Sequence, residues 1–218
     1  MHLSGEGLAC ERGERKLFQG VDFSLGPGEL LLLRGANGSG KSSFLRLIAG
    51  LLRPAAGTVR LDNTPVNADW QALRERLIYI GHLDPVKPAF SVAENLIFWM
   101  GMTGLALQYR RGRGGGLVTD GTSDALQALG LGGLADIPAR FLSSGQKRRL
   151  NLARLAAIQR PLWLLDEPAV GLDSASIALL SSLIQRHRDA GGLVIAATHS
   201  DLGVPVTHQL AFGMERAA

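Results

Sequence analysis

The chain has 218 residues, 46% hydrophobic and 19% charged, a length and balance that suit one domain, or one domain with a small subdomain, with apolar residues enough for a core. Its net charge of +4, from 23 basic against 19 acidic residues, is a mild excess compatible with nucleotide, anionic lipid or RNA and diagnostic of none. The single cysteine, Cys10, excludes an intrachain disulfide and a cysteine metal cluster, and residues 1–18 carry charges throughout, without the apolar stretch of a secretory signal.

Val21, Phe23 and Leu25 alternate with Asp22 and Ser24, which predicts a half-exposed strand ending at the turn Gly26-Pro27-Gly28. Residues 30–33 are continuously apolar, as a buried parallel strand should be. A glycine-rich loop follows, then helical spacing over residues 42–52 through Phe44, Leu45, Leu47, Ile48 and Leu51. Strands are expected at 58–61 and 77–80 and a helix at 92–101. The longest uncharged stretch, 95–109, is broken by Gly101 and Gly104 and falls short of the roughly 20 apolar residues a membrane span needs. Residues 110–116, rich in Arg and Gly, predict an exposed loop. Helices at 123–131 and 145–160, a strand at 162–165, a helix at 177–189 and a strand at 194–198 complete an alternation that predicts an α/β fold with a parallel sheet. The mostly helical stretch of about 90–145 reads as an insertion into a single domain over residues 1–218.

Gly35-Ala36-Asn37-Gly38-Ser39-Gly40-Lys41-Ser42 fits G-x-x-x-x-G-K-[ST] between an apolar strand and a helix, the context of a phosphate-binding loop. The glycines let backbone N–H groups turn inward around phosphates. The helix start, which continues through Ser43, adds its positive dipole end. Lys41 then reaches the β/γ-phosphates of ATP and Ser42 offers a hydroxyl to Mg²⁺. Four apolar residues followed by Asp166 and Glu167 put a carboxylate at the C-terminal tip of a buried strand, the edge at which open α/β sheets bind ligands. Asp166 suits the Mg²⁺, by way of a water, and Glu167 suits orienting or deprotonating an attacking water.

The segment Leu142-Ser143-Ser144-Gly145-Gln146, shortly before Asp166, resembles the LSGGQ signature of the ABC-transporter ATPase family, with Ser144 for the first glycine. The resemblance implies a P-loop NTPase domain of the ABC type, with a mostly parallel sheet core, an N-terminal antiparallel β region and a helical subdomain. It implies a head-to-tail homodimer in which Ser143, Gly145 and Gln146 meet the ATP held by the other subunit. It implies His199 as the switch histidine at the γ-phosphate, catalytic with Glu167 and Lys41, and Asp173 of Gly171-Leu172-Asp173 as a residue of the dimer interface. His82 stands where the family has a glutamine that ligates Mg²⁺ and links to the membrane subunit. An imidazole is a poor Mg²⁺ ligand, so His82 would act through a water or through the partner. Arg12 stands near the position of an adenine-stacking aromatic residue, and its guanidinium plane can still stack on the base.

Residues 8–18, Ile80-Gly81-His82 with Lys87, and Asp136-Ile137-Pro138 resemble the ATP-binding subunits of bacterial cytochrome c maturation systems, often called haem exporters. Leu83, where that group has Gln, and the glycine-rich run near Arg113 depart from it. The resemblance covers about residues 3–202. It implies ATP and Mg²⁺ as ligands and hydrolysis of ATP to ADP and phosphate. It implies integral membrane partners resembling CcmB and CcmC, an indirect link to haem and the chaperone CcmE, no nucleic acid, and a peripheral place on the cytoplasmic face of the inner membrane. Phe90, Phe98, Trp99 and Met100 are expected either to line a groove for those partners or to fill the core, since one-face helical spacing serves both. An ABC ATPase for another exported substrate is the alternative, with identical catalytic motifs. A DNA-repair or ribosome-associated ABC ATPase would usually carry a coiled-coil insertion or a second cassette. A P-loop kinase would need lid arginines and no equivalent of residues 142–146.

Overall fold

The computed structural model describes residues 1–13, 15–66, 69–103 and 121–213, together with the backbone of 109–111 and 117–119. Two compact units are formed: Met1–Tyr79 with Arg160–Pro168 and Gln185–Ala218, and Ile80–Gln159 with Ala169–Ile184.

In the first unit, β1 (Leu3–Arg12) and β2 (Arg15–Leu25) form a long antiparallel hairpin. With β4 (Ala56–Leu61) and β5 (Thr64–Pro65) they make a sheet in the order β2-β1-β4-β5. Phe23 and Leu25 point inward while Asp22 and Ser24 are exposed, as their alternation predicts. The second sheet has the order β11-β3-β10-β9-β6, from β11 (His208–Ala211), β3 (Leu30–Arg34), β10 (Leu193–Ala197), β9 (Leu162–Asp166) and β6 (Leu77–Ile80). The pairings β11–β3, β3–β10 and β10–β9 are parallel. Every residue of β9 and β10 is buried, which is why both read as unbroken apolar runs.

The helix α1 (Lys41–Ile48) sends Phe44, Leu45, Leu47 and Ile48 into a core shared with both sheets. Phe44 is met edge-on by Phe18, Phe23 and Phe212, at centroid distances of 5.8, 5.5 and 5.4 Å. The helix stops at Ile48 rather than Leu52. Gly50 adopts a left-handed φ of 67° and its N–H donates to the Leu47 carbonyl at 2.9 Å, a glycine termination. The short α2 (Gln71–Arg74) adds the buried Leu73.

In the second unit, α3 (Val92–Gly101), α4 (Thr122–Ala128) and α5 (Ser144–Ala157) pack on one another. Leu96, Met100, Leu126, Leu129 and Leu150 are buried there. The loop expected at 110–116 begins as a strand instead: β7 (Tyr109–Arg111) pairs antiparallel with β8 (Leu117–Thr119), and residues 112–116 lie outside the described residues. The helix α6 (Ser174–Asp189) buries Ser176, Leu180, Leu183 and Ile184. Among the described residues, no helix is long and apolar enough to cross a membrane.

Candidate active site

Residues 35–40 join β3 to α1, and three glycines bend them. Gly35, Gly38 and Gly40 have φ of 140°, 77° and 109°, the region where a side chain is strained. A Cβ on Gly35 would also strike the Phe212 carbonyl. Gly40 ends the loop as the N-cap of α1 with no side-chain cap, so the first-turn N–H groups face the loop as an anion-binding helix start. Ser39 Oγ is buried without a hydrogen-bond partner, a hydroxyl that a bound anion would satisfy. The ammonium of Lys41 donates to the carbonyls of Gly35 and Ala36 at 2.6 and 3.0 Å. It stands 3.3 Å from His199 Nε2, which accepts when the imidazole carries its proton on Nδ1. Asn37 is exposed and Ser43 half-buried on the same loop and helix start.

At the tip of β9, Asp166 is only 2% exposed. Its Oδ1 accepts from Ser42 Oγ at 3.0 Å and its Oδ2 from the Tyr79 hydroxyl at 3.3 Å. Burial, and then the Asp166 charge, push the Tyr79 phenol above its ordinary pKa, so at neutral pH it is a donor. Glu167 follows with a φ of 48°, a conformation a glutamate adopts only under constraint. The constraint is visible: its N–H donates to the Ala197 carbonyl at 2.8 Å. The turn brings the carboxylate to 3.9 Å from His199 Nε2. In the β9–β10 register Ala197 faces Asp166, so residues just past both strands share one sheet edge.

The first unit thus brings together Lys41, Ser42, Asp166, Glu167 and His199. Ser42 and Asp166 are hard oxygen donors, and no cluster of three or more His, Cys, Asp or Glu side chains suited to a metal occurs among the described residues. That donor set fits Mg²⁺, which is commonly held by one or two protein oxygens and completed by waters and substrate phosphates. Arg12 is exposed at the end of β1, opposite Arg15.

The remaining expected residues belong to the second unit. Ser143 and Gln146 form a capping box on α5: Ser143 Oγ accepts the Gln146 N–H at 3.2 Å and Gln146 Oε1 accepts the Ser143 N–H at 2.8 Å. A Cβ on Gly145 would come within 3.3 Å of the Gly171 carbonyl. The Asp173 carboxylate accepts the Ser176 N–H at 2.8 Å, and hydrogen bonding from Ser176 holds it below the usual carboxylate range. His82 is exposed just past β6. Its neighbours are anchored to α5: Arg148 donates to the Gly81 carbonyl at 3.1 Å and pairs with Asp84 at 2.9 Å, and Asn151 donates to Asp84 at 2.9 Å. Met100 is core and not groove, while Phe98 and Trp99 are half-buried and Phe90 is exposed. Lys87 Nζ lies 4.3 Å over the Phe98 ring and the Arg154 guanidinium 4.1 Å over Trp99. Leu83, Ile137 and Phe141 are exposed as well.

Sequence reasoning missed Tyr79, Arg148 and Asn151. The signal for Tyr79 was a lone hydroxyl in an apolar strand, which needs a partner when buried. Arg148 and Asn151 share a helix face three residues apart, but the basic character of that helix reads as solvated surface.

The sequence profile of the family described as "ABC transporter" matches residues 18–170. The chain is 50% identical over 203 residues to the cytochrome c biogenesis ATP-binding export protein CcmA of Rhodospirillum rubrum, across 93% of this chain and 82% of that protein. It is 45% identical to the protein of that name from Rhodopseudomonas palustris, across 98% of each. Among solved structures, it resembles an ABC transporter ATP-binding protein of Pyrococcus furiosus, with a TM-score of 0.80 at 18% identity over 97% of this chain and 98% of that one. A dimeric ATP-binding cassette in a post-hydrolysis state with ADP and Pi matches with a TM-score of 0.77 at 24% identity, over 91% and 88% of the two chains. These two likenesses show the fold.

Proposed function

Because the chain belongs to the ABC transporter family and, within it, to the cytochrome c biogenesis ATP-binding export proteins, it is an ATP-hydrolysing subunit of an export machine, and we propose that ATP is cleaved at the cluster of Lys41, Ser42, Asp166, Glu167 and His199 to drive a haem-handling step of cytochrome c maturation. The observation that carries this reading is the chain of contacts from Lys41 Nζ to His199 Nε2, at 3.3 Å, and on to Glu167 Oε1, at 3.9 Å, beside the phosphate loop.

The loop N–H groups, Ser39 Oγ and the start of α1 bind the phosphates of ATP. Lys41 leaves its loop carbonyls for the β/γ-phosphate oxygens and offsets their charge. Ser42, and Asp166 through a water, would hold Mg²⁺, which when bound would supply further positive charge to those oxygens. Glu167 orients a water in line with the γ-phosphorus and takes its proton as the new P–O bond forms and the bond to the β-phosphate oxygen breaks, leaving ADP and phosphate. His199 donates to the γ-phosphate and reports its presence. Ser143, Gly145 and Gln146 meet the ATP of a second copy, and Asp173 crosses that interface. Binding of ATP thus closes a homodimer and hydrolysis opens it.

The exposed Leu83, Phe90, Ile137 and Phe141, with His82 next to Leu83, would receive membrane subunits resembling CcmB and CcmC at the cytoplasmic face of the inner membrane. The far end of the machine would serve haem and the chaperone CcmE. Arg12 would stack on the adenine.

The test is covalent haem in the host's c-type cytochromes, stained after deleting the gene and restoring either wild type or Glu167→Gln. Loss on deletion, return with wild type and continued absence with the variant are expected. Normal haem attachment without the gene would assign the ATPase to another exported cargo.

A further inference from the structure

Ser42 and Tyr79 hold the two oxygens of Asp166, with the charge of Arg46 acting on the phenol, an arrangement that the catalytic assignment above leaves half explained. Ser42 Oγ donates to Asp166 Oδ1 at 3.0 Å, the Tyr79 hydroxyl donates to Asp166 Oδ2 at 3.3 Å, and the positive charge of Arg46 acts on the same phenol. Ser42 and Arg46 are four residues apart on α1 and share a helix face.

We infer that Tyr79 is a positioning residue for the divalent metal: it fixes the plane of the Asp166 carboxylate from β6 while Ser42 fixes it from α1, with Arg46 anchoring the phenol. The inference rests on the reading of Asp166 as the residue that holds the metal's water.

A carboxylate rotates easily about its last torsion, whose energy profile is broad. A hydrogen bond to one oxygen only leaves that rotation open. Bonds to both oxygens, from two elements other than its own strand, close it. Geometry suits the role, since β6 lies next to β9 in the sheet and Tyr79 is half-buried with its hydroxyl directed at the strand tip. Arg46 adds polarity: a guanidinium charge acting on the phenol lowers its pKa and makes it a stronger donor to the carboxylate. A tyrosine present only to fill space would need none of this, and phenylalanine would serve equally.

The experiment uses the full chain with Tyr79→Phe, which keeps the ring and removes the hydroxyl. Free Mn²⁺ is followed by electron paramagnetic resonance while it is titrated into the ADP-loaded protein. Metal-free ADP affinity, ATP turnover against Mg²⁺ concentration and thermal melting are measured alongside. Expected are Mn²⁺ affinity weakened by about threefold to tenfold, the scale of one typical hydrogen bond, and ADP affinity unchanged without metal. The turnover deficit should shrink as Mg²⁺ is raised, with the KM for ATP hardly moved. Arg46→Ala, on the protein surface, should shift Mn²⁺ affinity the same way by less, and it carries the test should Tyr79→Phe fold poorly. A folded Tyr79→Phe with wild-type Mn²⁺ affinity and Mg²⁺ dependence overturns the inference. Wild-type protein that holds no Mn²⁺ beside the nucleotide sinks it by the other route, by removing the metal role of Asp166.

Discussion

His199 Nε2 lies 3.9 Å from a carboxylate oxygen of Glu167, and that proximity depends on a backbone held out of its ordinary range. Glu167 has a φ of 48° and its N–H is tied to the Ala197 carbonyl at 2.8 Å. The chain therefore turns sharply at the end of β9 and delivers the carboxylate to the histidine instead of continuing along the sheet. Strain of this kind costs on the order of 1–3 kcal/mol and persists where surrounding structure enforces it.

Glu167→Gln keeps the size and most of the polarity of the side chain and removes its capacity to take a proton. Turnover should fall at least about a hundredfold, while ATP affinity stays within about twofold and ATP now traps a dimer. Phosphate release, nucleotide titration and size-exclusion chromatography with and without ATP check this. A variant turning over at the wild-type rate would falsify the role given to Glu167.

Gly35 and Gly38 sit on the same loop and should respond very differently to alanine. At Gly35 a Cβ meets the Phe212 carbonyl and the φ is 140°, so the loop must move and stability should fall by about 2 kcal/mol or more, with ATP binding lost. At Gly38 the φ is 77° and a Cβ has nothing within 4 Å, so only the left-handed backbone cost of about 1 kcal/mol applies. Denaturant midpoints of the two variants separate the cases.

The glycine-rich loop between β3 and α1 and the two buried strands that frame it were legible in the sequence because each has a local signal. Glycines stand at fixed offsets before Lys41, and apolar runs stand before Gly35 and Asp166. The start of α6 was not legible: Ser174-Ala175-Ser176 shows no apolar periodicity, and the helix begins there because Asp173 caps it. The edge strands β5 and β11 are short and largely exposed, so the alternation that marks a half-buried strand is missing. Tyr79 reaches Asp166 across 87 residues of sequence, and no local pattern encodes such a pairing. Arg148 and Asn151 had the right spacing, but a charged helix face looks the same whether it meets water or a carboxylate of its own chain.

The Arg148–Asp84 pair should be worth more than its place near the surface suggests. Arg148 is 3% exposed and its guanidinium also serves the Gly81 carbonyl. Arg148→Ala leaves the Asp84 carboxylate facing a cavity and should destabilise the chain by about 2–3 kcal/mol. That is below the cost of breaking a fully buried pair, because the Asp84 carboxylate is partly solvated. Proteolysis of residues 81–91 should quicken in parallel, and unchanged stability and cleavage would show that other contacts hold the segment.

Acid should destabilise the chain through His187. Its ring stacks on Trp163 at a centroid distance of 3.7 Å and an interplanar angle of 7°, and a Cβ on Gly192 would strike it. Burial pushes its pKa down to about 4, with hydrogen bonds to the Leu193 and Pro161 backbone pulling weakly the other way. An unfolded histidine titrates near 6.5, so between about 6.5 and 4 the unfolded chain takes up a proton that the folded chain refuses. The stability held by the neutral ring is complete above pH 6.5 and is lost progressively as pH falls toward 4. His187→Phe keeps a flat ring against Trp163 and cannot titrate. Melting temperatures measured from pH 7.5 to 5 should therefore fall more steeply for wild type than for His187→Phe, the carboxylates common to both cancelling in the difference. Parallel curves would assign the acid sensitivity to those carboxylates and leave His187 a packing residue only.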